Sequence, residues 1–297
     1  MSERKKNQNY GNDSISQLKG ADRVRLRPAA ILGSDGLEGC QHTFIEILAN
    51  SIDEAREGYG KLIEVTRFKD KSIQIRDYGR GCPVDYNEKE KKFNWELVYC
   101  ELYAGGKYEN NSNSGNYEYS LGLNGLGSTA TQYSSEYMDV TVFKDGFKYE
   151  LHFEKGNNIG GLKKEPYNYK HSGTLQKWKP DLEVFTDINA EDDFFRDVLK
   201  RQAVINPNLL FIYRSQNEDG SFSETEYIYE NGITDYVNEI ANGQNFTSVQ
   251  FWQTEKKGRD RDDKSEYKVK MSFALTFSNQ IKKIEYYHNS SFLEHGG

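Results

Sequence analysis

One stretch constrains this chain more than any other: His42 to Tyr59, HTFIEILANSIDEAREGY. Its apolar residues Ile45, Leu48 and Ile52 recur at i, i+3 and i+7, the spacing that lines one side of an α-helix. Glu46, Asn50 and Asp53 recur at i, i+4 and i+7 and form a second, polar stripe beside the first. A carboxylate and a carboxamide one turn apart, on a helix with a buried face, suit acid/base work and metal coordination. Taken alone, the same stripe is also what an ordinary solvated helix face presents. Any fold for this chain must bury one side of the helix and put the adjacent side either in water or against a site.

The neighbouring segments supply candidates for the rest of such a site. After the helix, LIEVTRF and SIQIRDY alternate like half-buried strands, and Asp70-Lys71 between them reads as a hairpin turn. The second strand runs into Asp77-Tyr78-Gly79-Arg80-Gly81-Cys82-Pro83, an acid followed by two glycines, which is expected to present its terminal side chain at a sheet edge. Upstream, a short helical pattern precedes a turn at Gly33-Ser34-Asp35-Gly36. Asn94 to Tyr103 reads as a helix leading into Ala104-Gly105-Gly106-Lys107-Tyr108, and the ENNSNSGN that follows reads as a mobile loop. Glycines 122, 125 and 127, followed by helix-compatible residues, suggest a loop that turns backbone N–H groups and a helix N-terminus toward an anion. From Tyr137 onward strands dominate: a hairpin around Lys144-Asp145-Gly146, a strand over Ser172 to Trp178, a helix over Ala190 to Ile205, and the strand pair LFIYRS and TEYIYE. Composition shifts near Gly232, after which come a helix, ITDYVNEIAN, and the strands SVQFWQT, YKVKMSFALTF and KKIEYYHN. Residues 1–20 are polar and aperiodic, as a disordered tail would be. No internal repeat is present.

Composition narrows the classes. At 36% hydrophobic and 29% charged residues, with a mean hydropathy of −0.86, the 297-residue chain reads as a polar globular protein of one large domain or two. It contains no run of 18 apolar residues, and no apolar core follows the basic N-terminus, so neither a membrane span nor a secretory signal is expected. Cys40, Cys82 and Cys100 are odd in number and lack CxxC spacing, which fits a reducing cytoplasm better than a disulfide scaffold or a zinc site. The net charge of −7 makes the chain a poor DNA grip by itself, because phosphate contacts need a basic surface.

The glycine motifs do not match the better-known phosphate loops. The Gly-Lys pairs at 60–61 and 106–107 lack the upstream glycine and following Ser/Thr of a Walker A loop. Gly125-x-Gly127-x-x-Ala130 matches a short Rossmann fingerprint, but a polar loop precedes it where a strand is required. What stands out is the order: polar-stripe helix, strand ending in Asp-x-Gly-x-Gly, flexible loop, Gly-rich loop, then a strand ending in Gly-Thr.

That order resembles the ATPase domain shared by gyrase, heat-shock chaperone, histidine kinase and mismatch-repair proteins, the GHKL or Bergerat fold. More specifically, KGADRVRLRPAAILGS, FIEILANSIDEAREGY, RDYGRGCP, LYAGGKY, GLNGLG and SGTLQKWKPDLEVF resemble the B subunit of bacterial type IIA DNA topoisomerases, gyrase or topoisomerase IV, over about residues 10–190. NGITDYV and HNSSFLEHGG resemble the start of that subunit's transducer domain. The resemblance implies an α+β fold, a sandwich of helices on a mixed, largely antiparallel sheet, followed by a truncated ribosomal-protein-like transducer. The implied divisions are an N-terminal arm at 1–20, the ATPase domain at 21–231 and the transducer start at 232–297.

The resemblance also implies roles. Glu46 is similar to the general base that polarises water for attack on the γ-phosphate of ATP, and Asn50 to the Mg²⁺ ligand, with Asp53 in support. Asp77 is similar to the acceptor for the adenine amine, with Thr174 completing the adenine-side bonds and Gly79 and Gly81 leaving room for the purine. Arg80 and Pro83 border the pocket, where aminocoumarin-type inhibitors also reach in the family. Lys107 and the run Gly122, Leu123, Asn124, Gly125, Leu126 and Gly127 resemble the phosphate contacts, Tyr117 an aromatic near the nucleotide, and Tyr10 the arm tyrosine that crosses to the partner's nucleotide in an ATP-bound homodimer. The implied partners are the topoisomerase A subunit and double-stranded DNA, the latter mainly through regions beyond this sequence, in the cytoplasm with no membrane.

Departures from the family pattern are Ala29-Ala30, Tyr78, Cys82, Asn124 and Lys144, the last near an arginine that binds aminocoumarins. The sequence stops inside the transducer, before a lysine that the family extends to the γ-phosphate, so slow hydrolysis and poor dimerisation are expected of this piece. Two other readings stay open. A histidine kinase catalytic domain needs a phospho-accepting histidine on an upstream helix, which does not precede Glu46. A chaperone-like or ATP-sensing module would bind nucleotide without driving DNA passage.

Overall fold

Three helices open the described part of the chain: α1 (Asp22–Arg25), α2 (Pro28–Leu32) and α3 (Leu37–Arg56). The computed structural model describes residues 17–104, 125–168, 170–259, 261–263, 266–288, 291–293 and 295. Pro28 occupies the first turn of α2, where its missing N–H costs no bond, and Gly33 ends that helix in the left-handed region at φ 79°. Helix α3 is the helix expected from the sequence, but it begins at Leu37 rather than His42 and closes at Arg56. Its buried face runs through Phe44, Ile47, Leu48, Ser51 and Ile52, while Ile45 is only half-buried. Packing of Phe44 against aromatic rings of a later helix sets that rotation, and spacing within α3 does not contain it.

The hairpin follows as β1 (Leu62–Arg67) and β2 (Ile73–Asp77), antiparallel, with Lys71 at φ 71° in its turn. A short ribbon of β3 (Tyr86–Asn87) and β4 (Lys92–Phe93) leads into α4 (Asn94–Cys100), and α5 (Gly127–Tyr133) is the next described element. Next come β5 (Ser135–Lys144), β6 (Phe147–Glu154), β7 (Asn157–Asn158), β8 (Lys163–Pro166) and β9 (Gly173–Pro180). Asp145 (φ 52°) and Gly146 (φ 81°) turn β5 into β6 with both central residues at positive φ, which matches the strands' right-handed twist. Helix α6 (Asp192–Ile205) and the strands β10 (Leu210–Gln216) and β11 (Phe222–Tyr227) complete the sandwich.

The sheet order is β11-β10-β1-β2-β9-β5-β6-β7, with β8 also paired to β6. Strands β1 and β10 run parallel and the other recorded pairs antiparallel, so the sheet is mixed and largely antiparallel. Strand β2 lies in the middle. The expectation that Asp77 is presented at a sheet edge is therefore corrected: it ends a central strand and is 6% exposed. One sheet face alternates buried residues, such as Ile73 and Ile75 on β2 and Met138, Val140 and Val142 on β5, against α3, α4 and α6. Phe44 of α3 packs edge-on against Phe195 at 4.9 Å and Phe194 at 5.8 Å on α6, fixing both helices to one core. A second cluster (Val24, Leu32, Cys40, Tyr133, Phe185) seats α1 and α2, and Arg25 pins them through Asp181 at 2.6 Å and the Tyr133 carbonyl at 3.1 Å.

Beyond Gly232 come α7 (Ile233–Ala241), the hairpin β12 (Gln250–Gly258) and β13 (Tyr267–Leu275), and the short pair β14 (Tyr286–His288) and β15 (Ser291–Leu293). Trp252, Phe273, Met271, Val269 and Leu275 are exposed on the β12–β13 hairpin, and Trp252 stacks on Phe273 at 5.1 Å.

Candidate functional site

Asp77 is a buried acid at the centre of the site, 6% exposed. Its Oδ1 accepts the backbone N–H of Gly79 (3.0 Å) and of Thr174 (3.1 Å), while the Ser51 hydroxyl lies 3.5 Å from Oδ2. One carboxylate oxygen is thus spoken for and the other keeps acceptor capacity. Burial pushes the carboxyl above the usual range, against the pull of the two N–H bonds and of Arg76. Thr174 is also buried, and its Oγ1 accepts the N–H of Cys82 at 2.9 Å. Gly173 (φ 129°) lets β9 come this close, because a Cβ there would sit 2.2 Å from the Asp77 carbonyl oxygen. The result is a buried acceptor framed by two backbone segments, which suits a flat base carrying an exocyclic amine.

Across α3 from this acceptor runs the polar stripe. It is not a solvated face: Glu46 and Asn50 are half-buried and Asp53 is 2% exposed, its charge acting on Arg56. His42 Nε2 lies 3.0 Å from Glu46 Oε1, one turn before it, and that hydrogen bond raises the His42 pKa. Glu46 Oε2 lies against the start of α5, since a Cβ on Gly127 would come within 2.1 Å of it. Asn50 Nδ2 donates to Ser128 Oγ at 3.2 Å. The helix that follows the Gly-rich loop therefore docks on the two residues read as base and metal ligand. Glycine at 127 is what admits the contact.

The rim is built from the loop after β2. Arg80 donates from Nε and Nη2 to the two carboxylate oxygens of Glu54 (3.0 and 2.7 Å), and its guanidinium lies 4.1 Å over the Tyr59 ring. Gly81 (φ 84°) packs where a Cβ would meet Val142, the Phe143 carbonyl and Lys144 within 3.3 Å. Pro83 is exposed beside it. Gly125 (φ 57°) and Leu126 precede α5, and the Gly125 carbonyl accepts the N–H of Tyr103 at 3.0 Å.

The structure thus brings Glu46, Asn50, Gly127, Asp77, Thr174, Arg80 and Gly81 around α3 and the ends of β2 and β9. Tyr10, Lys107, Tyr117, Gly122, Leu123 and Asn124, together with the loop read between 109 and 116, lie outside the described residues. Sequence reasoning missed His42, Ser51, Glu54, Ser128 and Ser172 as parts of the site. His42 was legible, at i−4 from Glu46; Glu54, Ser128 and Ser172 find their partners only through tertiary contacts. Among the described residues no group of three His, Cys, Asp or Glu side chains is placed to hold a metal ion, and no helix is long and apolar enough to cross a membrane.

Fold and site together define a class: an α+β sandwich whose central strand ends in a buried acid beside an Asn-bearing helix, the architecture of the GHKL ATPase domains. A solved structure of the 43K ATPase domain of Thermus thermophilus gyrase B, in complex with an aminocoumarin, superposes with a TM-score of 0.67 at 27% identity, covering 87% of this chain and 63% of that one. The chain belongs, in particular, to the family of the B subunits of DNA gyrase and topoisomerase IV. It is 32% identical over 289 residues to the B subunit of DNA gyrase from Thermotoga maritima (93% of this chain, 44% of that protein). It is 34% identical over 281 residues to the B subunit of DNA topoisomerase 4 from Staphylococcus aureus (93% and 41%). The chain spans less than half the length of these relatives. No family model matches it.

Proposed function

We propose that this chain is the ATP-binding gate of a type IIA DNA topoisomerase, the part that its B subunit contributes, working with an A subunit on double-stranded DNA in the cytoplasm. One observation carries the reading. Helix α3 holds Glu46 and Asn50 against the start of α5, while Ser51 of the same helix reaches the buried Asp77. Base reader and phosphate-side groups are thus both tied to one rigid element, α3.

The residues present fit ATP with Mg²⁺. Asp77 retains an acceptor for the adenine amine, and Thr174 flanks it. Asn50 supplies a hard oxygen donor for Mg²⁺, as such a site needs. Bound ATP would supply the γ-phosphoryl group that water attacks. Glu46 orients that water and takes its proton, and the His42 contact on Oε1 fixes the carboxylate so that Oε2 faces the α5 start. Arg80, held by Glu54, closes the mouth of the pocket and offers its flat guanidinium to inhibitors of the aminocoumarin type. Residues 1–20 act as an arm in an ATP-bound homodimer, 21–231 as the ATPase domain and 232–297 as the start of a transducer.

In the protein with its A subunit, Glu46→Ala abolishes ATP hydrolysis and ATP-driven strand passage on plasmid DNA while sparing nucleotide binding. Hydrolysis by that variant at the parent rate removes Glu46 from the role of base. The chain of 297 residues by itself binds ATP and hydrolyses it slowly. Turnover equal to that of a full-length gyrase or topoisomerase IV B subunit would contradict this.

A further inference from the structure

Arg76 precedes Asp77 on β2 and points to the opposite face of the sheet, as alternation along a strand requires. Its Nη2 donates to two consecutive carbonyls, His171 and Ser172, each at 3.3 Å. Its guanidinium carbon lies 4.9 Å from the Tyr78 ring centroid and 4.6 Å from that of Phe143, so two aromatic rings fix it. His171 in turn stands edge-on to Tyr78 at 5.9 Å.

The segment gripped in this way is the one that builds the far wall of the pocket. Ser172 Oγ donates to the Gly79 carbonyl at 2.7 Å, Thr174 N–H donates to Asp77 at 3.1 Å, and Thr174 Oγ1 accepts from Cys82 N–H at 2.9 Å. These bonds hold the segment from the pocket side, and Arg76 holds it from behind. We propose that Arg76 is a positioning residue for base recognition: it clamps residues 171–172 from the outer sheet face so that Asp77 and Thr174 keep the spacing that reads adenine. The proposal rests on the reading of this pocket as an ATP site.

The test is equilibrium binding of ATP and of GTP, each with Mg²⁺, to the parent protein, Arg76→Ala and Arg76→Lys, with thermal unfolding of each. Arg76→Ala is expected to weaken ATP binding by roughly 10- to 100-fold, the size of one lost charge-assisted hydrogen bond at a half-buried site, while GTP binding stays at its low level. The ATP-over-GTP preference therefore falls by the same factor. Arg76→Lys, which keeps a cation between the rings and a donor for the carbonyls, restores part of it. An unchanged preference in Arg76→Ala overturns the proposal, as does an equal loss of both nucleotides alongside a lower unfolding temperature. If Arg76→Ala does not fold, Arg76→Lys and Phe143→Leu supply the same readout: each is expected to lower the preference by a smaller factor, and parent-like preference in both overturns the proposal. A parent protein that binds neither nucleotide sinks the ATP reading and this inference with it. An ATP-selective parent with an equally selective Arg76→Ala sinks this inference alone.

Discussion

Replacing Asp77 with asparagine separates what the carboxylate does for the fold from what it does for the ligand. Asp77 is 6% exposed, and burial raises its pKa even though two backbone N–H groups point at Oδ1. A carboxyl with a raised folded pKa holds its proton longer in the folded chain than in the unfolded one. Its contribution to stability is full below the unfolded value of about 3.9 and is lost as pH rises through the folded value. At pH 7 the charge is a burden on the fold. Asp77→Asn removes that charge and keeps a carbonyl oxygen for Gly79 and Thr174, so the variant should unfold at the same temperature as the parent or higher, with a flatter dependence on pH. Binding moves the other way. With the carbonyl turned to the two N–H groups, the amide NH₂ takes the place of Oδ2 and meets the exocyclic amine donor to donor. Losing one charge-assisted bond costs about 1.5–3 kcal/mol, and a stranded buried donor costs about 1–3 kcal/mol more. The sum, roughly 2.5–6 kcal/mol, corresponds to an affinity loss on the order of 10²- to 10⁴-fold. Calorimetric titration with a non-hydrolysable ATP analogue, beside thermal unfolding between pH 5 and 8, reads both quantities. Affinity within threefold of the parent, or a loss of affinity matched by a loss of stability, would refute the reasoning.

Three further outcomes follow from contacts elsewhere. Gly127→Ala places a methyl 2.1 Å from Glu46 Oε2 and 2.9 Å from its Cβ, so that carboxylate must move; overpacking should cost about 1–3 kcal/mol in a denaturant titration, and, with Glu46 as the proposed base, ATP turnover should fall on the order of 10²-fold, since a misplaced catalytic group loses about that much. Phe44→Ala empties the fully buried junction of α3 and α6; by differential scanning calorimetry it should destabilise by about 3–5 kcal/mol, a fall of roughly 6–20 °C. His42→Gln removes a group whose pKa the Glu46 hydrogen bond raises; the stability that His42 contributes is full below about 6.5 and fades as pH rises through its folded value, so urea midpoints of the variant should vary less with pH over that window.

Much of the site was legible in the sequence. The i, i+4 spacing of Glu46 and Asn50 puts both on one helix face whatever surrounds it, and the two do meet the α5 start together. The acid at the end of β2, the glycines after it and the Gly-Thr at the start of β9 likewise announce a strand end where backbone comes close. The rotation of α3 was less legible. Spacing picks out Ile45 as readily as Ile47, and only packing of Phe44 against Phe194 and Phe195, about 150 residues away in sequence, decides which side is buried. The place of β2 was missed for a similar reason. Nothing local tells a central strand from an edge strand, since the neighbours that cover it, β1 and β9, are set by long-range pairing.

What the sequence determined by itself was therefore local: which segments are helix or strand, where glycine lets the chain turn, and which polar residues share a helical turn. Those follow from backbone geometry and side-chain period, which each segment carries within itself. What only the tertiary structure decided was which of those groups touch. Glu54 grips Arg80, Ser128 meets Asn50, Arg76 holds the back of the pocket, and Asp77 becomes a buried acceptor in mid-sheet. Each contact joins residues distant in the chain or on opposite faces of the sheet, and its energy depends on a burial that no single segment possesses.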